Sequence, residues 1–168
     1  MEEGRILMGS SEGAVVARFE GHLTQASALS ITEAVERCAR LDVTGLLIDI
    51  RSCSYMDSTI LGTLARWVIN FYREHNVRPL LVGLWEGSLE NTFKRMCLDQ
   101  LFKPLPASAL KSPSPELETA HASATPDPRS QARRVLDAHE TLATLSPENA
   151  EEFRLLLDIL RREVAKED

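Results

Sequence analysis

The tightest constraint on this chain is a junction. A β-branched, leucine-rich run, Val43-Thr44-Gly45-Leu46-Leu47-Ile48-Asp49-Ile50, gives way across Tyr55-Met56-Asp57-Ser58 to Leu61, Leu64, Ala65, Val68 and Tyr72 at helical spacing. The first pattern fills a strand covered on at least one face, and the second lays an apolar stripe along a helix. A chain that passes from buried strand to amphipathic helix in this way is of the α/β kind, with the change falling at about Asp57-Ser58. A serine there can accept from the unpaired N–H groups of the first helical turn. An added phosphate would meet the same donors and the positive end of the helix dipole.

The neighbouring segments extend the pattern. Arg5 to Ser10 and Ala14 to Glu20 read as antiparallel strands joined by Ser11-Glu12-Gly13, whose glycine supplies a positive φ. A helix follows from Thr24 or Gln25 to Arg40, with Leu29, Ile31, Ala34, Val35 and Cys38 as its stripe. After the helix Ser58 to His75, Asn76-Val77-Arg78-Pro79 leads into a strand, Leu80 to Leu84. Gly87-Ser88 then opens a shorter helix with Leu89, Phe93, Met96 and Cys97 on one side. The order ββαβαβα, closed by a short strand near Phe102, predicts a mixed β-sheet with packed α-helices.

Composition changes at Lys103. From Pro104 to Arg129 the chain carries Pro104, Pro106, Pro113, Pro115, Pro126 and Pro128 among Ser, Ala and Thr, with few large apolar residues to offset ordering entropy. Beyond it Val135, Ala138, Leu142 and Leu145 form one stripe, and Phe153, Leu156, Leu157, Leu160 and Val164 form another. Ser146-Pro147-Glu148 between them is a helix start, with Ser as cap, Pro at the first position and an acid in the first turn. The expected layout is a folded domain over 1–104, a flexible Pro/Ser-rich linker over 105–130 and a C-terminal helical hairpin over 131–168. Two helices cannot bury both stripes alone, so the hairpin must dock on the sheet domain, on a second copy or on a partner through Phe153, Leu156, Leu157 and Leu160.

The remaining composition excludes several classes. With 168 residues and a formal net charge of -6, the chain has a core's worth of length and no dense cationic stripe, so direct nucleic-acid binding is not expected. The three cysteines, Cys38, Cys53 and Cys97, have no CxxC spacing, which argues for a reducing, cytoplasmic setting over a disulfide framework. No apolar run approaches a membrane span, and the N-terminus has no signal-like layout. The four histidines, His22, His75, His121 and His139, show no metal-ligand spacing, and His139 reads as a packed structural residue. No nucleophile elbow, Walker A or dinucleotide motif is present, so no enzyme, metal or cofactor is expected. Asp57 is a weaker alternative acceptor of phosphate. Trp67 and Trp85 read as core or partly buried packing residues.

The pattern Met56-Asp57-Ser58-Thr59-x-Leu61-Gly62 resembles the phosphorylation-site motif of STAS domains, in particular the bacterial anti-sigma factor antagonists. The resemblance spans roughly the first two thirds of the chain. It includes Gly21-His22-Leu23, the Ile48-Asp49 strand, Thr92-Phe93-Lys94-Arg95-Met96 and Leu101-Phe102. Ile60 stands where the family usually has Gly, and Thr24 where it usually has an acidic or amide residue. The resemblance implies a non-enzymatic signalling module in transcription regulation by partner switching. Ser58, with Thr59 as the alternative, would be the phospho-acceptor, and His22, Thr24, Asp57, Ser58, Thr59, Ile60 and Gly62 would form the partner-binding surface. The implied partners are an anti-sigma factor that is also a serine kinase, and a phosphatase. The other readings are a constitutive STAS scaffold or transport-system subunit without phosphorylation, with the tail mediating oligomerisation, a homodimer among the possibilities.

Overall fold

The structure is a computed structural model, and it describes residues 3–110, 115–122 and 127–168. Strands β1 (Arg5–Ser11) and β2 (Ala14–Leu23) form the expected antiparallel hairpin. Its turn needs left-handed backbone twice, at Glu12 (φ 52°) and Gly13 (φ 80°), which is what right-twisted strands require of a two-residue connection. Helix α1 (Ala28–Ala39) then leads to β3 (Gly45–Met56), and helix α2 (Ser58–His75) to β4 (Leu80–Val82). Helix α3 (Glu90–Arg95) precedes β5 (Lys103–Leu105). The described residues form a six-stranded sheet in the order β5-β4-β3-β2-β1-β6, where β6 is Glu118–Thr119. The pairs β2–β3, β3–β4 and β4–β5 are parallel, and β1 is antiparallel to both neighbours, so the sheet is mixed as the element order predicts.

Burial follows the pleat. Strand β2 alternates strictly, with Val15, Ala17, Phe19 and Leu23 buried. Central β3 buries Leu46, Ile48, Asp49 and Ile50, and Asp49 is held in the core by Arg51 (2.8 Å) and Arg18 (3.2 Å). Phe93, Leu98 and Phe102 close the β4 end of the same core. Helix α2 stops where Asn76 turns left-handed (φ 54°) and its N–H meets the Tyr72 carbonyl.

Beyond the sheet domain come α4 (Pro128–Leu145), α5 (Pro147–Glu152) and α6 (Arg154–Glu167). The Ser146 hydroxyl accepts from the Asn149 N–H, as the cap reading requires. The hairpin docks in cis: α4 lies along α2, and Leu136, Leu142, Phe153, Leu157, Leu160 and Val164 join the core. Contact is closest at Gly62, where an added Cβ would sit 2.8 Å from Ala138 Cα and nearer still to its carbonyl. Asn149, buried in the crook, donates to the carbonyls of Met96 (2.9 Å) and Leu142 (3.0 Å), so one amide ties domain and tail together.

Several readings are corrected. Strand β3 runs on to Met56, because past Ile50 it keeps its pairing with β2, Ser52, Cys53, Tyr55 and Met56 lying beside Glu20, Gly21, His22 and Leu23 across two register shifts. Within the stretch expected to lack regular structure, Glu118–Thr119 pairs with Met8 and Leu7, since an open sheet edge offers backbone partners to any extended segment. Pro113 and Pro126 lie outside the described residues. Leu156 is 37% exposed and turns away from the docked face, leaving Leu157 beside it to fill that role. Trp85 is 51% exposed.

Candidate functional site

Asp57, in extended backbone, is the residue that caps α2: its Oδ1 accepts from the Ile60 N–H at 2.9 Å. Ser58 is therefore the first helical residue, and its hydroxyl is left for other partners. The second Asp57 oxygen accepts from the Gln25 N–H at 2.6 Å, and the Asp57 N–H donates to the Leu23 carbonyl at 3.1 Å. These bonds bring the β2–α1 loop, with Thr24, against the start of α2. His22 stacks on Tyr55 next to it, ring centroids 4.3 Å apart. His22, Thr24, Asp57 and Ser58 thus share one end of the sheet.

Within the expected partner surface, Thr59, Ile60 and Gly62 are buried. Thr59 is 4% exposed and Ile60 is completely buried, because positions two and three of the helix turn toward the core while position one, half-buried, lies at the edge of the docked tail. Gly62 lies beneath Ala138 of the tail.

Ser58 Oγ lies 2.8 Å from His139 Nε2. The other ring nitrogen, Nδ1, is 2.7 Å from the Val135 carbonyl oxygen. A carbonyl can only accept, so Nδ1 carries a proton; with the ring neutral, Nε2 accepts and the Ser58 hydroxyl donates. Phe153 packs edge-on against His139 with centroids 5.2 Å apart. The half-buried Ser58 also lines a groove of about 380 Å³ with Ser54, Tyr55, Ser88, Thr92 and Arg95. Arg95 spans the groove to Glu152 of α5 at 3.2 Å.

The sequence pattern located the serine but missed His139 as its partner and Asn149 as the tie between domain and tail. The signal was slight: His139 is a polar residue on an otherwise apolar stripe, Asn149 stands among the acidic residues of α5, and Ser58 and Met96 lie 81 and 53 residues away from them. Elsewhere, burial pushes the thiols of Cys38 and Cys53 up to about 11, which suits inert packing residues. Among the described residues no cluster of His, Cys, Asp or Glu is placed to hold a metal ion, and no helix is long and apolar enough to cross a membrane.

Comparisons with known proteins bear on the fold. No curated protein matches the chain in sequence. An anti-sigma factor antagonist from Mycobacterium paratuberculosis is similar in structure at 18% identity and a TM-score of 0.53, over 62% of this chain and 87% of that one. The anti-sigma factor antagonist SpoIIAA in its unphosphorylated form is a looser likeness, with 23% identity, a TM-score of 0.41, and the same 62% and 87% coverage. SLC26A9 is looser again, at 13% identity and a TM-score of 0.39 over 62% of this chain and 22% of that one. A family model described as STAS domain matches residues 5–111, well over half the length, and the chain belongs to that family.

Proposed function

We propose that the protein is a non-enzymatic, cytoplasmic signalling module of the anti-sigma factor antagonist type, binding an anti-sigma factor that is also a serine kinase when Ser58 is unmodified. The observation that carries this reading is the place of Ser58: first residue of α2, directly after its Asp57 cap, on the wall of an open groove. A phosphate there adds about -1.5 to -2 charge. The α2 terminus favours it by roughly 0.3 to 1 kcal/mol, too little to rearrange the fold. Across an interface, burying the same dianion without a cation is several times more costly, so binding is lost while the fold persists. A phosphatase resets the switch.

Incubation of the purified protein with the serine kinases of its source organism and ATP, followed by mass spectrometry, tests the assignment. Label on Ser58 supports it; label elsewhere, or none, rejects it. The Ser58→Ala form should hold the partner constitutively and Ser58→Glu should bind it weakly. A second reading, a phosphate-independent scaffold that self-associates through its tail, draws on Leu155 and Ile159, which are 65% and 53% exposed on one side of α6. Sedimentation showing a stable dimer, abolished by Leu155→Glu, would favour it.

A further inference from the structure

The face of α2 that begins at Ser58 is covered by the chain's own tail. Four kinds of contact fit the tail to α2 and to the neighbouring α3. The backbones approach at Gly62, where any side chain would meet the backbone of Ala138, and Ala138 is itself buried at the crossing. The Ser58 hydroxyl bonds to His139, Arg66 pairs with Asp137 at 3.0 Å, and Arg95 pairs with Glu152. Asn149 fastens the crook of the hairpin to the Met96 carbonyl. Phe153, beside His139, also lines the Ser58 groove.

We propose that this hairpin is a competitor in cis for the Ser58 surface. The partner fits the surface beneath with an amphipathic helix of the same build as α4: a small residue over Gly62, a hydrogen-bond acceptor level with Ser58 and an apolar flank. The proposal rests on the functional reading above in taking the Ser58 end of α2 as the partner surface. The complementarity of α4 defines the occupant, because a helix without a small residue at the crossing cannot approach Gly62. The His139 contact extends the mask to the hydroxyl itself. A phosphoryl group cannot enter the 2.8 Å separating Ser58 Oγ from Nε2, so phosphorylation in the docked state must swing Oγ toward the groove and give up that bond. Masking and modification are therefore coupled at one oxygen atom. A partner sees an affinity reduced by the fraction of molecules whose hairpin is open.

The test uses full-length protein and a fluorescein-labelled synthetic peptide of residues 128–168 as the helical probe, with binding read by anisotropy. Wild type should not take up the probe. Phe153→Ala with Leu157→Ala, which loosens the resident hairpin and leaves α2 intact, should bind at least roughly a hundredfold more tightly than wild type. Adding Gly62→Ala to that double variant should abolish the gain. Leu160→Ala with Val164→Ala serves as an independent loosened form, and retained circular dichroism and sheet-amide protection select variants that remain folded. Equal binding to wild type and loosened forms would overturn the mask. No binding to either loosened form, or binding indifferent to Gly62→Ala, would overturn the helix-accepting surface. Neither kinase nor ATP enters these measurements, so their failure leaves the phospho-acceptor assignment standing, and the absence of label on Ser58 leaves these results standing.

Discussion

Replacing Gly62 by Ala should act with opposite signs on the two parts of the molecule. Gly62 lies inside α2, where Ala is favoured over Gly by about 0.8 to 1.0 kcal/mol in helix propensity. Taken alone, that stabilises the sheet domain. The new Cβ, however, would lie 2.8 Å from Ala138 Cα and closer to that residue's carbonyl, and all of these are backbone atoms that cannot rotate aside. Relief comes from moving α4 outward, and overpacking of this kind typically costs about 1 to 3 kcal/mol. Hydrogen exchange read by mass spectrometry separates the effects. Amides of α4 should exchange roughly five- to a hundredfold faster, since each 1.4 kcal/mol is tenfold. Those of β2 and β3 should be as protected as before, or more so. Unchanged α4 exchange together with a more stable protein would refute the close crossing; uniform loss over the sheet would refute the idea that the tail opens separately.

Other consequences follow from single residues. Leu157→Ala, at a site 5% exposed, should destabilise hairpin docking by about 2 to 5 kcal/mol, and Leu156→Ala, at 37% exposed, by less than half of that, compared by the same exchange measurement. Of the three thiols, Cys97 should react first with an aromatic disulfide reagent at pH 8, Cys38 and Cys53 only on unfolding, because both are buried and their ionisation is pushed up to about 11. Burial raises the Asp49 carboxyl, but hydrogen bonds and charge from Arg51, with Arg18, outweigh it and hold Asp49 below the usual carboxylate range. A lowered folded value means stability that is present above about pH 4 and lost as acid protonates the group in the folded state. Urea midpoints of wild type should therefore fall on acidification below pH ~4, and the corresponding slope should be shallower for Asp49→Asn.

How much of this was legible in the sequence depends on the range of the interactions. The strict alternation of β2, the leucine-rich start of β3 and the stripe of α2 are set by residues within one turn or pleat of each other, and periodicity reveals them. Ser146-Pro147 announces a helix because a cap is a local event. The break at Phe153, which splits the second tail helix into α5 and α6, has no Pro or Gly to mark it. His139 and Asn149 escape for a different reason. Their hydrogen bonds are made to Ser58 and Met96, and nothing in the local sequence fixes which distant group a polar residue on a packed helix will meet. The same limit applies to Asp57 and Ser58. Either could cap a helix, and the choice is decided by the second bond Asp57 makes, across to Gln25.

That second bond has a mechanical consequence. Both Asp57 oxygens are engaged, one by the Ile60 N–H and the other by the Gln25 N–H, so the carboxylate cannot turn away from a negative neighbour without letting go of one of them. The carboxylate therefore clamps the loop around Thr24 to the first turn of α2, so that a charge added at Ser58 would meet a fixed anionic neighbour on a frame that stays in place.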